Sequence, residues 1–456
     1  MEGGYTDFRL ISVEKDRLHS VESSEESLFE NMRQCREIKR RIPVMKKALS
    51  LVLALALLLS VTAAFAEKTQ LTLWSIAVEG DANRAAYLAA IDEFNKTNEE
   101  YELVMEATEN EAYKTKIKAA MSAGEDLPDI FFTWSMSFLG DFVDAGRVYN
   151  LDGILPEYKA ELTDTMLANT TYNGEHYGVP LTMNVVTLFA NMDQIKSVGY
   201  DAVPETFEGL MELCAKLKEA DIVPFGVAGK ENWCLSEYTE PLLVKTIGAD
   251  GLKACYEGKA AWNQEGVVTA MKAFEQLKEY FDPNAAALGN EEVKQNFIAG
   301  KTAFYQNGSW NCGDIAKAAE FEVAALAFPT VAEGADLYQF VGGPNDTLAV
   351  TATAKDPEVC AKIAFDLGRI IAREGNLNGA GLPAWAVNYD TSSCNKLSNQ
   401  VADMLGKSTG LVLFGDNFLS ADAANTYLDF IAQLFAGDID AQGFADGLAE
   451  AFPVAE

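Results

Sequence analysis

The chain has 456 residues, of which 49% are hydrophobic, and a mean hydropathy of -0.03. This composition excludes a disordered chain and a multi-span membrane protein, and it provides apolar residues for the cores of about two domains. The formal net charge of -32 at pH 7 argues against a nucleic-acid partner, because binding a polyphosphate requires local positive potential.

Residues 45–66, MKKALSLVLALALLLSVTAAFA, are typical of a secretory signal peptide. Two lysines precede an uncharged run rich in Leu and Ala, which ends in Ala64-Phe65-Ala66. A membrane anchor is the alternative, since residues 48–66 are just long enough to span a bilayer, but the Ala-x-Ala ending favours cleavage. We therefore expect a periplasmic or extracellular protein at the outer face of the cytoplasmic membrane. With no cysteine at the cleavage site, a lipid anchor is not predicted.

Residues 1–44 precede what resembles a natural start at Met45, and we interpret them as a disordered or mistranslated N-terminal extension. Residues 1–66 carry 10 basic and 9 acidic residues, which leaves 26 basic and 59 acidic residues in the exported part. The acidity therefore belongs to the exported chain.

After the signal segment, strand and helix patterns alternate. Residues 69–75 alternate apolar and polar side chains as a strand does, and residues 83–98 place Tyr87, Ile91 and Phe94 on one helical face. The next predicted elements are a strand at 101–106, a helix at 111–124, a strand at 127–134 and a helix that ends at Gly146. This β-α-β-α-β order predicts a parallel sheet with helices on both faces.

After residues 173–193, the second half of the chain again shows both strand and helix patterns. Strands are predicted at 222–229, 321–329 and 340–354, and helices at 205–219, 357–372, 424–435 and 442–452. The stretch VKQNFIAGKTAFYQNGSW, residues 293–310, predicts a helix ended by Gly300, a strand at 303–305 and a turn at 307–309 that presents Trp310. No Ser/Gly/Pro linker separates the halves, so we expect strands to run through a hinge.

Histidine content excludes several kinds of chemistry. His176 is the only histidine after the signal segment, so a multi-histidine metal site is excluded, and a Ser-His-Asp or Cys-His site is disfavoured because this residue lies in a turn. The chain has no H-E-x-x-H, G-x-S-x-G or Walker motif. No catalytic residue, metal or cofactor is predicted. A hydrolase with paired carboxylates stays open, because sequence does not show the separation of acidic residues.

The cysteines leave two alternatives open. Six lie after the signal segment and none forms a C-x-x-C pair, so zinc and redox roles are not indicated. These six cysteines are consistent both with disulfide bonds and with buried free thiols.

Tryptophans occur where strands end or in loops with Gly or Pro. At the carboxyl ends of parallel strands such loops converge on a crevice, and an indole there offers a flat apolar face to a sugar ring. For any single tryptophan, packing beneath a loop is as good an interpretation as ligand contact. Five fit this pattern, whereas Trp262 is assigned to packing or surface: Trp74, Trp134, Trp233, Trp310 and Trp385.

Five segments, in order, carry a resemblance to a known family. They are TQLTLWS (69–75), KIKAAMSAGEDLPDIFFTW (116–134), YGVPLTMNVVTLFANMD (177–193), VKQNFIAGKTAFYQNGSW (293–310) and FVGGPNDTLAV (340–350). The fourth is the most specific, because it is similar to the signature Phe-x-x-Gly-Lys-x-Ala-Phe/Met-x-x-x-Gly-x-Trp. From residue 69 onwards the chain resembles the family 1 extracellular solute-binding proteins, the receptors of carbohydrate ABC importers.

The resemblance implies an α/β, periplasmic-binding-protein-like type II fold, with two discontinuous lobes, a hinge and a ligand cleft between them. The implied division is a first lobe at 67–183, a second lobe at 184–341, a return segment to the first lobe at 342–385, and C-terminal helices at 386–456, mainly of the second lobe. The implied partners are a carbohydrate ligand and the membrane permease subunits, and the implied state is a monomer.

The resemblance also implies ligand-binding residues. First-lobe contacts fall at Trp74, Ser75, Glu79 and Trp134, and hinge contacts at Thr182 and Asn184. Second-lobe and crossover positions are Trp233, Trp310, Gly342, Gly343, Asp346 and Trp385, with the glycines expected to let the backbone approach the ligand.

Other functions remain as alternatives to sugar import. The same fold binds other small solutes, and the acidic surplus suits a polyamine, while a peptide ligand is a further option. A secreted carbohydrate-active enzyme and a chemoreceptor-coupled sensor complete the set.

Overall fold

The computed structural model describes Glu30, Met32, Arg33, Arg36 and residues 68–454. The predicted N-terminal extension lies almost entirely, and the signal segment wholly, outside these described residues. Two units separate along the chain, Met1–Lys68 and Thr69–Glu456. In the first unit, Glu30, Met32, Arg33 and Arg36 are helical and exposed. The second unit contains the sheets described below.

The described residues of the second unit, 69–454, form fourteen strands, which are numbered in chain order. They are β1 Thr69–Ser75, β2 Tyr101–Ala107, β3 Ile130–Trp134, β4 Thr171–Tyr172, β5 Glu175–His176, β6 Val179–Pro180, β7 Thr182–Asn191, β8 Val223–Gly226, β9 Thr302–Gly308, β10 Val323–Leu326, β11 Gln339–Pro344, β12 Asp346–Val350, β13 Leu382–Pro383 and β14 Gly410–Val412.

The first sheet has the strand order β2-β1-β3-β12-β6. Strand β1 runs parallel to β2 and β3, as the alternating sequence pattern predicts. Strand β12 runs antiparallel to β3, because it enters this sheet from the opposite direction after a long excursion of the chain. The second sheet has the order β14-β11-β7-β9-β8, and β10 and β13 also pair with β7.

Helices cover these sheets. In the first half they are Arg84–Thr97, Asn110–Ala123, Ser137–Asp144, Asp164–Leu167, Met192–Ser197, Phe207–Glu219, Asn232–Tyr256 and Glu265–Lys278. In the second half they are Asn290–Ile298, Cys312–Ala318, Pro357–Asn378, Lys396–Gly406, Gly415–Phe418, Ala421–Ala436 and Ala441–Ala451. The predicted helix at 357–372 is longer than expected, because it continues to Gly379, whose φ of 79° ends it.

The helix Asn110–Ala123 shows how local sequence sets an element. The Glu109 side chain accepts hydrogen bonds from two backbone amides of the first turn, and Gly124 ends the helix with a φ of 72°. Tyr113 and Ile117 on its buried face are inaccessible to solvent and pack into the core of the first sheet. The opposite face carries lysines, which becomes important for the site.

The signature stretch folds largely as predicted. Val293 and Phe297 are fully buried, and Gly300 has a φ of 71° after the helix. The predicted turn at 307–309 is wrong, because β9 continues through Gly308, which pairs with Val186 of β7. The chain turns instead in a short 3-10 segment at Ser309–Asn311, so Trp310 lies in this segment, two residues after the last residue of the strand.

Two very short crossovers join the sheets. Only Leu181 separates β6 of the first sheet from β7 of the second, and only Asn345 separates β11 from β12. These crossovers hold the ends of both sheets together, which positions the side chains of the site. The lobe boundaries given above stay a prediction.

The described residues also answer questions about membrane spans, cysteines and Trp262. No helix among them is long and apolar enough to cross a membrane. The six cysteines between residues 214 and 394 are free thiols. Trp262, assigned above to packing or surface, is fully buried against Tyr256 and Tyr427 and therefore has a packing role.

Candidate functional site

The first sheet contributes two tryptophans at the carboxyl ends of its parallel strands. Trp74 is the penultimate residue of β1 and Trp134 is the last residue of β3, and each is 9% exposed. Trp134 packs edge-on against Phe132 and Phe138, with ring centroids 5.0 Å away in both cases. The Lys116 ammonium lies 3.6 Å from the centroid of the Trp74 ring. Aromatic rings therefore form one wall of the site, with a lysine beside them.

The second sheet contributes a cluster of three partly or fully buried rings. Trp310 lies 6.3 Å from Trp233 and 6.2 Å from Phe414, measured between ring centroids. Trp233 lies in the first turn of the helix Asn232–Tyr256, and Phe414 directly precedes the helix Gly415–Phe418. Three segments distant in sequence thus build the opposite wall.

Gly308 makes the position of Trp310 possible. A Cβ atom at residue 308 would lie 2.0 to 2.2 Å from three atoms of the Trp310 ring. The indole therefore lies against the backbone of Gly308, where any side chain would displace it. This contact explains why the signature needs glycine two residues before tryptophan.

Lys114 connects the two walls. Its ammonium lies 5.4 Å from the centroid of the Trp134 ring and 5.7 Å from that of Trp233. It also forms an ion pair of 2.9 Å with Glu111 on the same helix. Because the same ammonium lies within cation–π range of both rings, Lys114 brings the Trp134 wall and the Trp233 wall together. Sequence reasoning missed Lys114, although the K-T-K-I-K run on an amphipathic helix is a visible signal.

A polar network lies where the two crossovers meet. The Thr182 hydroxyl donates to Oδ2 of Asp346 at 2.6 Å, and the Asn184 amide donates to the same oxygen at 3.4 Å. The Ser309 hydroxyl donates to Oδ1 of Asn184 at 2.9 Å. Burial raises the pKa of Asp346 to about 6, and the bond from Thr182 opposes this effect. The structure thus brings Thr182, Asn184 and Asp346 together.

Gly342 and Gly343 have φ values of 138° and 150°, and they pair with Val185 and Asn184 of β7. A Cβ atom at Gly342 would lie 2.2 Å from the Asn184 carbonyl oxygen. The close approach at Gly342 is therefore to the backbone of β7, where a larger residue would break the pairing of the two strands.

Three predicted positions lie outside these groups. Glu79 is exposed, and Ser75 is fully buried, with its hydroxyl accepting from the amide of Ala77 at 3.3 Å. Trp385 is 5% exposed, packs edge-on against Tyr158 and Phe365, and donates its indole N–H to the Pro180 carbonyl at 2.7 Å. It is therefore held among first-sheet residues and does not contact the Trp233–Trp310 cluster.

Buried acids beside the aromatic cluster were not predicted. Glu237 lies one helical turn after Trp233 and is 1% exposed, with Oε2 unpartnered among the described residues. Glu240 accepts from the Gly415 amide at 3.0 Å, and burial, reinforced by the charge of Asp416, raises its pKa to about 8. No sequence pattern distinguishes these glutamates from those on solvated helix faces.

Among the residues with described positions, no group of three or more His, Cys, Asp or Glu side chains is arranged to hold a metal ion. The two walls and the crossovers present aromatic faces, an ammonium group and carboxyl, amide and hydroxyl groups. These groups have the chemistry for stacking and hydrogen bonding.

Residues 79–367 match the profile of a family described as bacterial extracellular solute-binding protein. The chain is 25% identical over 293 residues to the multiple sugar-binding protein of Streptococcus mutans, and this alignment covers 61% of the chain and 68% of that protein. It is 26% identical over 227 residues to the maltodextrin-binding protein MdxE of Bacillus subtilis, covering 48% and 52%. These alignments thus span about half to two-thirds of the relatives.

Solved structures cover more of the chain. One from work on xylan utilization by the thermophilic bacterium Caldanaerobius polysaccharolyticus has a TM-score of 0.80 and 30% identity, covering 84% of this chain and 99% of that one. A chitin oligosaccharide binding protein has a TM-score of 0.76 and 20% identity, covering 84% and 98%. The second likeness concerns the fold alone.

Proposed function

The chain belongs to the bacterial extracellular solute-binding protein family, with the two-lobe type II fold expected from its sequence, and on this basis we propose that it is the substrate-binding component of an ABC importer. The ligand is a sugar or oligosaccharide, which binds in the cleft between the lobes. The observation that supports this most is the pair of aromatic walls, Trp134 on one side and Trp233, Trp310 and Phe414 on the other.

The chemistry of these walls suits a sugar. Indole rings stack on the apolar C–H face of a pyranose, while amide, carboxyl and hydroxyl groups at the crossovers answer its hydroxyls. Relatives named as multiple sugar-binding, maltodextrin-binding and chitin oligosaccharide binding proteins support the same ligand class. The binding residues that we propose include the predicted residues of the two walls and the crossovers, which are Trp74, Trp134, Thr182, Asn184, Trp233, Trp310, Gly342, Gly343 and Asp346. Lys114 and Phe414 complete the set.

The remaining parts of the proposal follow from the family role. Residues 45–66 direct export, the lobes divide at the predicted boundaries and close on the ligand, and the loaded monomer docks on the membrane permease. The protein binds its ligand without turnover.

A titration tests the proposal. Tryptophan fluorescence of purified residues 67–456, which contain the compact unit Thr69–Glu456, is followed against xylo-, malto- and chito-oligosaccharides and raffinose. We expect a saturable change and a raised melting temperature with at least one sugar. If none of these sugars changes the fluorescence or the melting temperature, the proposal is contradicted. Chromatography of the incubated sugars tests for turnover, and product formation indicates the enzyme alternative.

One observation favours a second candidate ligand. The Lys114 ammonium between Trp134 and Trp233 occupies the position that a cationic ligand takes between aromatic rings. A polyamine that displaces it has the same chemistry. A larger thermal shift with spermidine than with any sugar selects this alternative.

A further inference from the structure

A second polar group lies where the loop after β1 meets the crossover into β12. It contains Asp81 and Asn83 of the loop, Tyr87 in the first turn of the helix Arg84–Thr97, and Asp346 at the start of β12. Asp81 accepts a hydrogen bond from the Asn83 amide at 2.8 Å. The sequence pattern places Tyr87 on the packing face of its helix and does not distinguish Asp81 or Asn83 from other loop residues.

Two side-chain atoms in this group lack a partner. The hydroxyl of Tyr87 and Oδ1 of Asn83 are buried and form no hydrogen bond within the described part of the chain. Tyr87 is 2% exposed. Because buried polar groups are nearly always satisfied in folded proteins, two orphans in one place indicate a missing partner.

Two carboxyl groups act on the Tyr87 hydroxyl. Burial raises its pKa well above the ordinary value, and the charges of Asp346 and Asp81 raise it further. The hydroxyl therefore lies in the field of both carboxyl groups. Asp346 also acts on Asp81: burial raises the pKa of Asp81 to about 6, and the charge of Asp346 contributes to this rise.

Asn83 reaches the crossover as well. A Cβ atom built on Gly375 would lie 3.4 Å from Oδ1 of Asn83 and 3.8 Å from Cγ2 of Thr182. Asn83 and Thr182 thus both lie beside Gly375, which has no side chain. Thr182 is the residue that donates to Asp346, so Asn83 lies close to the residue that holds the Asp346 carboxyl.

The group consists mainly of acceptors. The Thr182 hydroxyl and the Asn184 amide already donate to Asp346, which leaves the carboxyl oxygens, the side-chain amide of Asn83 and the Tyr87 phenol. Such a group needs a ligand that donates several hydrogen bonds. It disfavours an anion, because the charges of Asp81 and Asp346 both act on this group.

We propose that Asp81, Asn83, Tyr87 and Asp346 form a hydroxyl-recognising subsite for one terminal ring of a neutral oligosaccharide. Neighbouring hydroxyls of that ring donate to the carboxyl and amide oxygens, and one of them pairs with the Tyr87 phenol. The subsite rests on the proposed sugar-binding function. It makes these four residues determinants of which sugar binds and excludes uronic acids from this end of the cleft.

The test is a set of calorimetric titrations on residues 67–456. The neutral oligosaccharide that binds the wild type most tightly in the fluorescence panel is titrated into Tyr87→Phe, Asp346→Asn and the matched control Tyr158→Phe. Tyr158 belongs to the first-sheet core, and its hydroxyl is already bonded to Asp366 at 3.1 Å. We expect Kd to rise about five- to tenfold in Tyr87→Phe and more in Asp346→Asn, but to stay within about twofold in the control.

Stability measurements separate binding from folding. Removal of an unpartnered hydroxyl leaves the melting temperature of ligand-free Tyr87→Phe at or above the wild-type value, whereas Tyr158→Phe loses a hydrogen bond and melts lower. A uronic-acid oligomer is expected to bind the wild type at least tenfold more weakly than its neutral counterpart.

The outcomes distinguish the subsite from the function. If the wild type binds no sugar, the proposed function fails. If it binds a neutral sugar and Tyr87→Phe binds as the control does, the subsite is overturned and the function stands. A thermal shift of the wild type by calcium chloride or spermidine without sugar, lost in Asp346→Asn, also overturns the subsite, because it assigns the group to a cation.

Discussion

Substituting Gly308 by alanine tests the packing of Trp310 without touching the indole itself. The backbone at this residue has φ -65° and ψ 151°, which alanine adopts freely, so no strain arises from the main chain. The added Cβ would meet the Trp310 ring at 2.0 to 2.2 Å, well inside van der Waals contact. The ring therefore has to rotate out of its position.

The magnitude follows from the contacts that this rotation breaks. Trp310 is paired with Trp233 at 6.3 Å and with Phe414 at 6.2 Å. Each aromatic pair contributes about 0.5–1.5 kcal/mol beyond its buried area, so we expect Gly308→Ala to reduce the free energy of unfolding by about 1–3 kcal/mol. A sugar that stacks on this indole loses about tenfold or more in affinity.

The assay combines urea unfolding, near-ultraviolet circular dichroism of the tryptophans and calorimetric titration. Gly153→Ala is the matched control, because a Cβ atom there meets nothing within 4 Å. Gly308→Ala is expected to alter the tryptophan dichroism, the unfolding free energy and Kd, while the control alters none of them. If the two variants behave alike, our account of why the signature has glycine at this position is refuted.

Three further predictions follow from the site. Trp310→Ala is expected to raise Kd for the sugar about tenfold or more with the fold intact by far-ultraviolet dichroism, and an unchanged Kd removes Trp310 from the site. In the folded state the pKa of Asp346 is raised from 3.8 to about 6, so the folded protein binds an extra proton and the contribution of Asp346 to the unfolding free energy declines as pH rises through this window. Asp346→Asn should flatten that decline by on the order of 1–3 kcal/mol in urea titrations at several pH values. An unaltered pH profile contradicts this prediction. Gly342→Ala is expected to cost about 2–4 kcal/mol, because its Cβ would lie 2.2 Å from the Asn184 carbonyl oxygen at a φ of 138°; a melting temperature equal to that of Gly153→Ala argues against this.

Local patterns in the sequence predicted the elements well. Period-two and period-3.6 spacing gave β1 to β3 and the helices between them, and the order of elements predicted their parallel pairing, which the register of β1 with β2 and β3 confirms. Glycine positions gave the ends of several helices. These features depend on neighbouring residues, so a local pattern is sufficient to show them.

The end of the signature was predicted less well. Residues 307–309 have the composition of a turn, yet β9 runs on to Gly308 because β7 offers a partner there. Hydrogen bonding to a distant strand overrode the local preference. The same dependence on β7 explains Gly342, whose close neighbour is backbone of that strand.

What the sequence by itself determined was the family, the lobed α/β architecture and the use of tryptophans at strand ends. Only the tertiary structure decided which of these tryptophans meet. Trp310 joins Trp233 and Phe414, whereas Trp385 lies against Tyr158 and Phe365. Convergence of side chains depends on the order of strands in each sheet and on the one-residue crossovers between the sheets, and neither is encoded in the spacing of residues along the chain.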